Sequence, residues 1–233
     1  MFQTVFFRKY KFSAHNLDFL NYLLIFCLVL SVFSCKNTDK TVVKYLPYYN
    51  TPEFTPIFIE KPEDSKEQIT HTIADFAFTN QYHQQITQKI IENKIHVANF
   101  FFTSCGSICP VMTKNMSKIN DIFQNDETIV LLSYSVTPWI DSVARLQEYA
   151  QRHEIDGKNW HLLTGNKAKI YELARKSYFA EEYIGFSKDS TEFLHTEHFL
   201  LVDKNKKIRG IYNGTLTLEM EHLIEDIKVL KEE

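Results

Sequence analysis

A strand-like run that stops at a pair of cysteines constrains the fold of this chain more than any other feature. Residues 95–102 read Ile-His-Val-Ala-Asn-Phe-Phe-Phe, an apolar run of strand length that ends at Thr-Ser-Cys-Gly-Ser-Ile-Cys-Pro. Beyond it, apolar residues recur at helical spacing: Val111, Met112, Met116, Ile119, Ile122 and Phe123. Pro110 suits the first turn of a helix, where its missing N–H is not needed. The pattern predicts a buried strand that leads through a cysteine loop into a helix.

Strand and helix signals alternate in the sequence after this helix. A strand is predicted over 128–136, a helix over 141–153, a short strand over 160–163 and a helix over 167–176. Strands that alternate with helices imply parallel pairing with right-handed crossovers.

The carboxyl-terminal part has a different pattern. An irregular insertion over 177–194 precedes a hairpin that turns at 203–207, and an amphipathic helix follows it. Upstream of the cysteines, the alternation in Thr72–Phe78 predicts one more strand. A βαβ half followed by a ββα half, with cysteines at the first strand–helix junction, predicts an α/β thioredoxin-like fold. Its central mixed sheet is flanked by helices.

The amino terminus has the features of an export signal. Basic residues precede an apolar run from Tyr22 to Phe33, which is shorter than the roughly 20 residues that a membrane-spanning helix needs. The run ends in Val-Phe-Ser-Cys, which resembles the bacterial lipoprotein signal, where the cysteine, here Cys35, becomes lipidated. An uncleaved anchor over about 19–33 is the alternative. Both interpretations place the rest of the chain in the cell envelope, facing the periplasm or the outside.

Three segments are therefore expected: a signal peptide over 1–34, an extended tether over 35–70 and one domain over 71–233. The tether contains four prolines and no sustained periodicity. Its aromatic residues predict that its second half lies on the domain: Tyr48, Tyr49, Phe54 and Phe58. The formal net charge of -3, with acidic and basic residues interspersed, argues against nucleic acid as a partner.

Cys105 and Cys109 are the candidate reactive site. A thiolate at a helix N-terminus meets unpaired N–H groups and the positive end of the helix dipole, which lower its pKa. The loop between these cysteines is longer than in Cys-x-x-Cys motifs, so both sulfurs have room to face one ion. Two soft thiolates favour Cu(I), and an added imidazole makes a site suited to either copper oxidation state. An inert disulfide is the alternative interpretation.

The third ligand is sought among nine histidines. In a thioredoxin-like fold the strand that starts near residue 196 runs antiparallel to the cysteine strand, which favours His195, before the strand, over His198, inside it. Surface or satisfied positions are expected for the others, including His71, His83, His96, His153, His161 and His222. Met112 and Met116, although one helical turn apart, are expected in the core.

Several motifs carry a family resemblance. They are Phe100–Pro110 followed by Met116, Ser-Val-Thr-Pro-Trp-Ile-Asp over 135–141, Leu146 with Tyr149 and Ala150, Trp-His-Leu-Leu-Thr-Gly over 160–165, and His195-Thr196. Together they resemble the SCO/SenC family of copper-binding oxidase assembly factors, from about residue 71 to the end. The resemblance implies one copper ion held by Cys105, Cys109 and His195. It also implies a role in maturing the binuclear copper centre of a respiratory oxidase, with a copper-accepting oxidase subunit as the partner.

Two departures from the family pattern concern the surroundings of the ligands. Thr137 stands where the family usually has Asp, and Leu194 where an Asp commonly precedes the histidine. Neither change replaces a ligand.

The main alternative function is an extracytoplasmic thiol-disulfide oxidoreductase that keeps partner cysteines reduced. Such enzymes commonly place a cis-proline opposite the cysteines, but no proline follows Pro138 here, which favours metal delivery by a protein that is not an enzyme. Both uses need a thiol reductant as a partner, since copper transfer to cysteines requires them reduced. A copper or redox sensor and a peroxidase are further, less favoured hypotheses for the function.

Overall fold

Seven strands form one mixed sheet in the computed structural model, which describes residues 45–59, 65–180 and 196–233. The strands are β1 (Ala77–Asn80), β2 (Gln85–Thr87), β3 (Ile95–Phe101), β4 (Ile129–Ser135), β5 (Trp160–Thr164), β6 (His198–Val202) and β7 (Ile208–Asn213). Their spatial order is β2-β1-β5-β4-β3-β6-β7. β3, β4 and β5 are parallel, whereas the other neighbours are antiparallel. The predicted thioredoxin-like sheet is confirmed.

Helices cover both faces of this sheet. They are α1 (Ser65–Gln68), α2 (Cys109–Phe123), α3 (Val143–Arg152), α4 (Lys167–Glu172) and α5 (Thr217–Glu232), with a 3₁₀ turn at Gln88–Ile91 and a π-helical turn, Leu173–Ser177, that continues α4. Side-chain oxygens of Ser142 and Asn166 accept N–H groups in the first turns of α3 and α4, so both starts are capped. Within the described ranges, no helix is long and apolar enough to cross a bilayer.

The central strands are buried on both faces, which explains their uninterrupted apolar sequence. Every residue of β3 and β4 is buried. Alternate side chains point to opposite faces, so Val97 and Leu131 join the core that contains α2, α3 and α5, while Ala98 and Leu132 join the core around α4. The parallel strands bring their carboxyl ends to one edge of the sheet. We call this row of strand ends the cysteine edge, because the loop with Cys105 follows β3 there. The row formed by the amino-terminal ends of the same strands is the opposite edge.

Two details near β1 differ from the sequence-based expectation. The strand predicted over Thr72–Phe78 starts only at Ala77, because the ladder with β2 begins at Ala77 and the ladder with β5 at Thr79, which leaves residues 72–76 without a ladder partner. β2 was not predicted. It has only three residues and a single buried side chain, Ile86, so its sequence carries no clear period.

The segment before α1 packs against the edge opposite the cysteines. The N–H of Tyr49 donates to the Ile208 carbonyl at the start of β7, over 3.0 Å. The Phe54 ring lies edge-on to Tyr49 and Phe179, with centroids 5.9 and 6.2 Å away. Tyr48 is buried as expected, but Phe58 is 73% exposed, so the expectation of packing was wrong for that residue.

A buried arginine ties this opposite edge together. The Arg209 guanidinium donates to Glu233 over 2.6 and 3.0 Å, to Asp203 over 3.3 Å and to the Leu46 carbonyl over 2.8 Å. It also lies 3.9 Å from the ring centroid of Tyr48. Because Arg209 is only 3% exposed, these contacts supply the partners that its buried charge needs.

Candidate metal centre

The cysteine loop brings two sulfurs to the start of α2. Cys109 is the first residue of α2, and Pro110 occupies the first turn as predicted. The N–H of Cys109 donates to Cys105 Sγ over 3.4 Å, and the N–H of Cys105 donates to the Phe102 carbonyl over 3.3 Å. Both cysteines are free thiols. The short N–H to sulfur contact places Cys105 where backbone donors stabilise a thiolate.

The two thiols differ in their tendency to ionise. Burial works to raise the pKa of Cys105, but the N–H groups of Cys109, Ser107 and Ile108 outweigh it, so this pKa lies below its ordinary value. Deeper burial raises the pKa of Cys109 to about 12, and the neighbouring sulfur and Asp141 add to the rise. Cys105 is half-buried, whereas Cys109 is 3% exposed. Cys105 is therefore the more accessible and more readily ionised thiol, and Cys109 is a protonated inner thiol.

One buried carboxylate holds the loop to the end of β4. Asp141, fully buried, accepts hydrogen bonds from the Thr103 hydroxyl over 2.5 Å, the Thr103 N–H over 3.2 Å and the Ser135 hydroxyl over 2.6 Å. The Thr137 hydroxyl donates to the same carboxylate over 3.0 Å. Arg145 adds a cation 3.9 Å away. Four donors thus satisfy a carboxylate that would otherwise be costly to bury.

The Thr137 departure from the family pattern has a clear consequence here. Its hydroxyl donates to Asp141, so the buried cluster contains one carboxylate. An Asp at position 137 would set a second carboxylate against the first, and like charges in a buried site repel. The threonine removes that repulsion and adds a donor.

Two further side chains support the base of the loop. The hydroxyls of Thr113, on α2, and Tyr149, on α3, are 2.7 Å apart in the core beside the cysteines. Burial raises the pKa of Tyr149 to about 12, which keeps the phenol protonated. The supporting roles of Thr103 and Thr113 were missed at the sequence level. Their partners lie 38 and 36 residues away, and no periodic pattern connects them.

The third predicted copper ligand, His195, and the predicted lipidation site, Cys35, lie in segments that the structure does not describe. The chain is described again from Thr196, and β6 pairs antiparallel with β3 so that Phe199 is opposite Asn99. The start of β6 therefore lies beside the end of β3 that leads into the cysteine loop. His198 is a half-buried residue at the first position of β6.

Other expectations about histidines and methionines have mixed outcomes. Met112 and Met116 are fully buried, which confirms them as core. The expected surface or satisfied positions were wrong for His96 and His161, since each is buried with one ring nitrogen that has no hydrogen-bond partner. Burial lowers the pKa of His96 to about 3 and that of His161 to about 4, so both rings are neutral. His96 Nε2 lies 3.0 Å from the Tyr178 hydroxyl.

Comparison with known sequences adds a family to this geometry. The SCO1/SenC family model matches residues 64–232. The SCO1 protein homolog of Bacillus subtilis strain 168 is 28% identical over 165 residues, which are 70% of this chain and 84% of that protein. The range matched by the family model includes both cysteines and every described strand of the sheet.

Solved structures agree with this family. A SCO1/SenC family lipoprotein from Bacillus anthracis superposes with a TM-score of 0.60 and 29% identity, covering 70% of this chain and 96% of its own. BsSco, described as a Sco-family cytochrome c oxidase assembly protein with a disulfide switch, gives 0.59 and 27%, covering 70% and 94%. Copper-bound ScoI of Bradyrhizobium japonicum gives 0.54 and 21%, covering 68% and 99%, and shows the shared fold. With a family model matching most of its length and these structural relatives, the chain belongs to the SCO1/SenC family.

Proposed function

We propose that this chain binds one copper ion through Cys105, Cys109 and His195 and helps to mature the binuclear copper centre of a respiratory oxidase. The observation that carries the proposal is the pair of adjacent sulfurs at the start of α2, one of them stabilised as a thiolate. Soft thiolates are the ligands that Cu(I) prefers, so the donor set fits this cargo. The descriptions of BsSco as an oxidase assembly protein and of ScoI as copper-bound support the same function.

The different ionisation of the two thiols suggests an order of events. Cys105, half-buried and with the lower pKa of the two thiols, meets the incoming ion first. Cys109 loses its proton only when a cation is close, because its buried thiol has a pKa of about 12. Metal binding then releases this proton, which makes copper affinity depend on pH. Asp141 fixes the loop through Thr103 while the ligands exchange.

We further propose that Cys35 carries a lipid and holds the domain at the envelope membrane. The apolar run before Cys35 is short, and the related Bacillus anthracis protein is described as a lipoprotein. Replacement of Cys35 by Ala is expected to release the chain from membranes or block its processing. An intact amino terminus beginning at Met1 in the membrane fraction, found by mass spectrometry, would favour the uncleaved anchor.

Copper titration of the reduced full chain tests the ligand set. The wild-type chain is expected to bind about one copper ion, and Cys109→Ser should weaken binding by more than about 100-fold, since losing even an outer partner of a ligand costs about 10- to 100-fold. His195→Ala should remove the thiolate-to-copper absorption of the Cu(II) form while keeping part of the Cu(I) binding. His198→Ala is the matched control and should change neither.

A thiol-disulfide oxidoreductase remains the second candidate. An accessible low-pKa thiol beside a buried thiol is also the arrangement that attacks and then resolves a mixed disulfide. This function would replace the first if His195→Ala retained full Cu(II) absorption and oxidase assembly while Cys105→Ser lost oxidase activity. A disulfide between Cys105 and Cys109 is predicted for the metal-free oxidised chain under either function.

A further inference from the structure

An exposed apolar turn lies directly beside the cysteine loop. Trp139 is 57% exposed and Ile140 is 41% exposed, although both side chains are large and apolar. They occupy the turn between β4 and α3 whose last residue, Asp141, accepts two hydrogen bonds from Thr103 of the cysteine loop. The turn and the loop are thus parts of one surface at the cysteine edge.

This turn holds its apolar side chains out rigidly. The N–H groups of Ile140 and Asp141 both donate to the Thr137 carbonyl over 2.8 Å, and the N–H of Ser142 donates to the Ile140 carbonyl over 3.0 Å. A turn that is already ordered loses little conformational entropy when a partner covers it. Tryptophan is also among the residues that contribute most to protein interfaces.

The surface continues from Trp139 onto α4 and becomes positively charged. The Lys167 ammonium lies 4.8 Å from the centroid of Trp139 and 5.1 Å from that of Tyr171. The depression next to it follows α4, and among the described residues its charged lining consists of three cations and one carboxylate: Lys167, Arg175, Lys176 and Glu172. Glu172 is already paired with Lys176 over 2.9 Å. The described part of the lining therefore has a net positive charge.

We propose that Trp139, Ile140 and the cationic face of α4 form the docking surface for the protein that accepts copper, and that the covered region of this partner is apolar at its centre and acidic around it. The proposal rests on the proposed function, because it states where the copper-accepting partner binds next to Cys105. Opposite charge on the partner complements the α4 lining and speeds encounter. A second copy of this chain is a poor occupant, because a symmetric contact would bring the same cations together.

An anionic membrane is the other class of surface that a tryptophan beside lysines can meet. Two observations favour a protein. The surface adjoins the cysteine loop through the hydrogen bonds between Thr103 and Asp141, so a protein that takes copper from Cys105 must come close to it. The segment before α1 joins the domain at the opposite edge, through the Tyr49 to Ile208 hydrogen bond, so the proposed surface lies away from the point where the upstream chain joins the domain.

Fluorescence of Trp139 provides a direct test, since the chain has two tryptophans and the other, Trp160, is 2% exposed. The probe is the soluble copper-binding domain of the oxidase subunit from the same organism, added to the copper-loaded full chain in detergent. We expect a blue shift of Trp139 emission and protection from acrylamide. We expect Trp139→Ala to weaken binding by about 10- to 30-fold, the size typical of a central interface residue.

Charge and control variants complete the test. Lys167→Glu should weaken binding about tenfold at low salt and flatten its salt dependence. Phe58→Ala, which removes an even more exposed aromatic ring from another part of the chain, and Lys204→Glu, in the turn at the opposite edge, should leave affinity unchanged. Trp139→Ala should keep the full thiolate-to-copper absorption.

The outcomes separate this proposal from the proposed function. Wild-type affinity in Trp139→Ala, or no binding of the wild-type chain to the oxidase domain, would reject the docking surface. Protection of Trp139 by anionic vesicles but not by the oxidase domain would assign the surface to a membrane instead. Loss of copper binding by the wild-type chain would reject the copper function, whereas a tryptophan-dependent complex with the oxidase domain would still support the docking surface.

Discussion

The two edges of the sheet solve the burial of charge in different ways. At the cysteine edge, one carboxylate, Asp141, is satisfied mainly by hydroxyl and N–H donors from nearby loops. At the opposite edge, Arg209 meets two carboxylates and a backbone carbonyl that come from both ends of the described domain. Neutral donors leave the first edge able to present a reactive sulfur. At the second edge, the paired charges of Arg209, Asp203 and Glu233 hold the structure together, and we call this cluster the clasp.

The comparison teaches that stability and chemistry are concentrated at different ends of the same strands. A clasp of buried opposite charges is costly to break but has no group free to react. The cysteine edge has a sulfur with a lowered pKa, Cys105, and exposed apolar side chains, which suit contact with an ion and a partner. Substitutions at each edge should therefore change different measurements.

The largest effect on stability is expected from Arg209→Met, which preserves bulk but leaves Asp203 and Glu233 without their cation. Breaking one side of a buried ion pair costs about 3–5 kcal/mol. Urea unfolding should show this loss in the free energy of unfolding, while the folded variant still binds copper as the wild type does. Lys204→Met, an exposed cation in the same hairpin turn, is the control.

The pH dependence of the same variant sharpens the test. Burial raises the pKa of Asp203, and the nearby Lys207 N–H and Arg209 work against this rise. Removal of Arg209 raises this pKa further. A carboxyl with a raised folded-state pKa stabilises the fold at low pH and loses that contribution as the pH rises through its pKa. The difference in free energy of unfolding between the variant and the wild type should therefore shrink towards acidic pH; a constant difference would contradict a charge-based clasp.

An intermediate effect is expected from Asp141→Asn. The amide brings donors against the Thr103, Ser135 and Thr137 hydroxyls, which should cost about 1–3 kcal/mol of unfolding free energy. Loss of the negative charge should also lower the pKa of Cys109, since Asp141 contributes to its rise. Carbon-13 NMR of labelled cysteines would follow both thiols. An unchanged Cys109 titration would separate this carboxylate from the sulfur chemistry, and Asp156→Asn serves as a control at an exposed carboxylate.

The smallest effect is expected from Lys231→Met, at the opposite edge but outside the clasp. Its ammonium is paired with Asp126 in an ion pair whose side chains are 39% and 21% exposed. Burial works to raise the pKa of Asp126, but Lys231 and Thr128 outweigh it and lower this pKa. The pair should contribute at most about 1 kcal/mol, present at neutral pH and lost as the pH falls through the Asp126 pKa. A loss of unfolding free energy as large as that of Arg209→Met would show that the clasp contributes no more to stability than a partly exposed ion pair.

The elements that sequence predicted well are those whose burial is complete. β3 and β4 are buried along their whole length, so uninterrupted apolar runs identified them. Short elements with mixed exposure, such as β2, have no such apolar run in their sequence. The prediction over 167–176 became α4 plus a π-helical turn, because the sequence encodes helical spacing but not the carbonyl to which each N–H donates.

At the site, local sequence predicted the cysteines but not what holds them. The strand, loop and Pro110 were enough to place both sulfurs at the start of α2. The donors to Asp141 and the partners of Arg209 come from positions up to 163 residues apart, and only the folded topology brings them together. His96 was misjudged although it lies in the apolar run of β3, where burial was the simpler expectation.

The hydrogen bond between Tyr49 and Ile208 has a mechanical consequence. Force applied through the amino-terminal segment reaches the sheet at β7, on the edge away from the cysteines, and β3 adds roughly 23 Å of strand between that edge and the loop, at about 3.3 Å per residue. A load that enters at Tyr49 would therefore pass into β7 without crossing the cysteine loop.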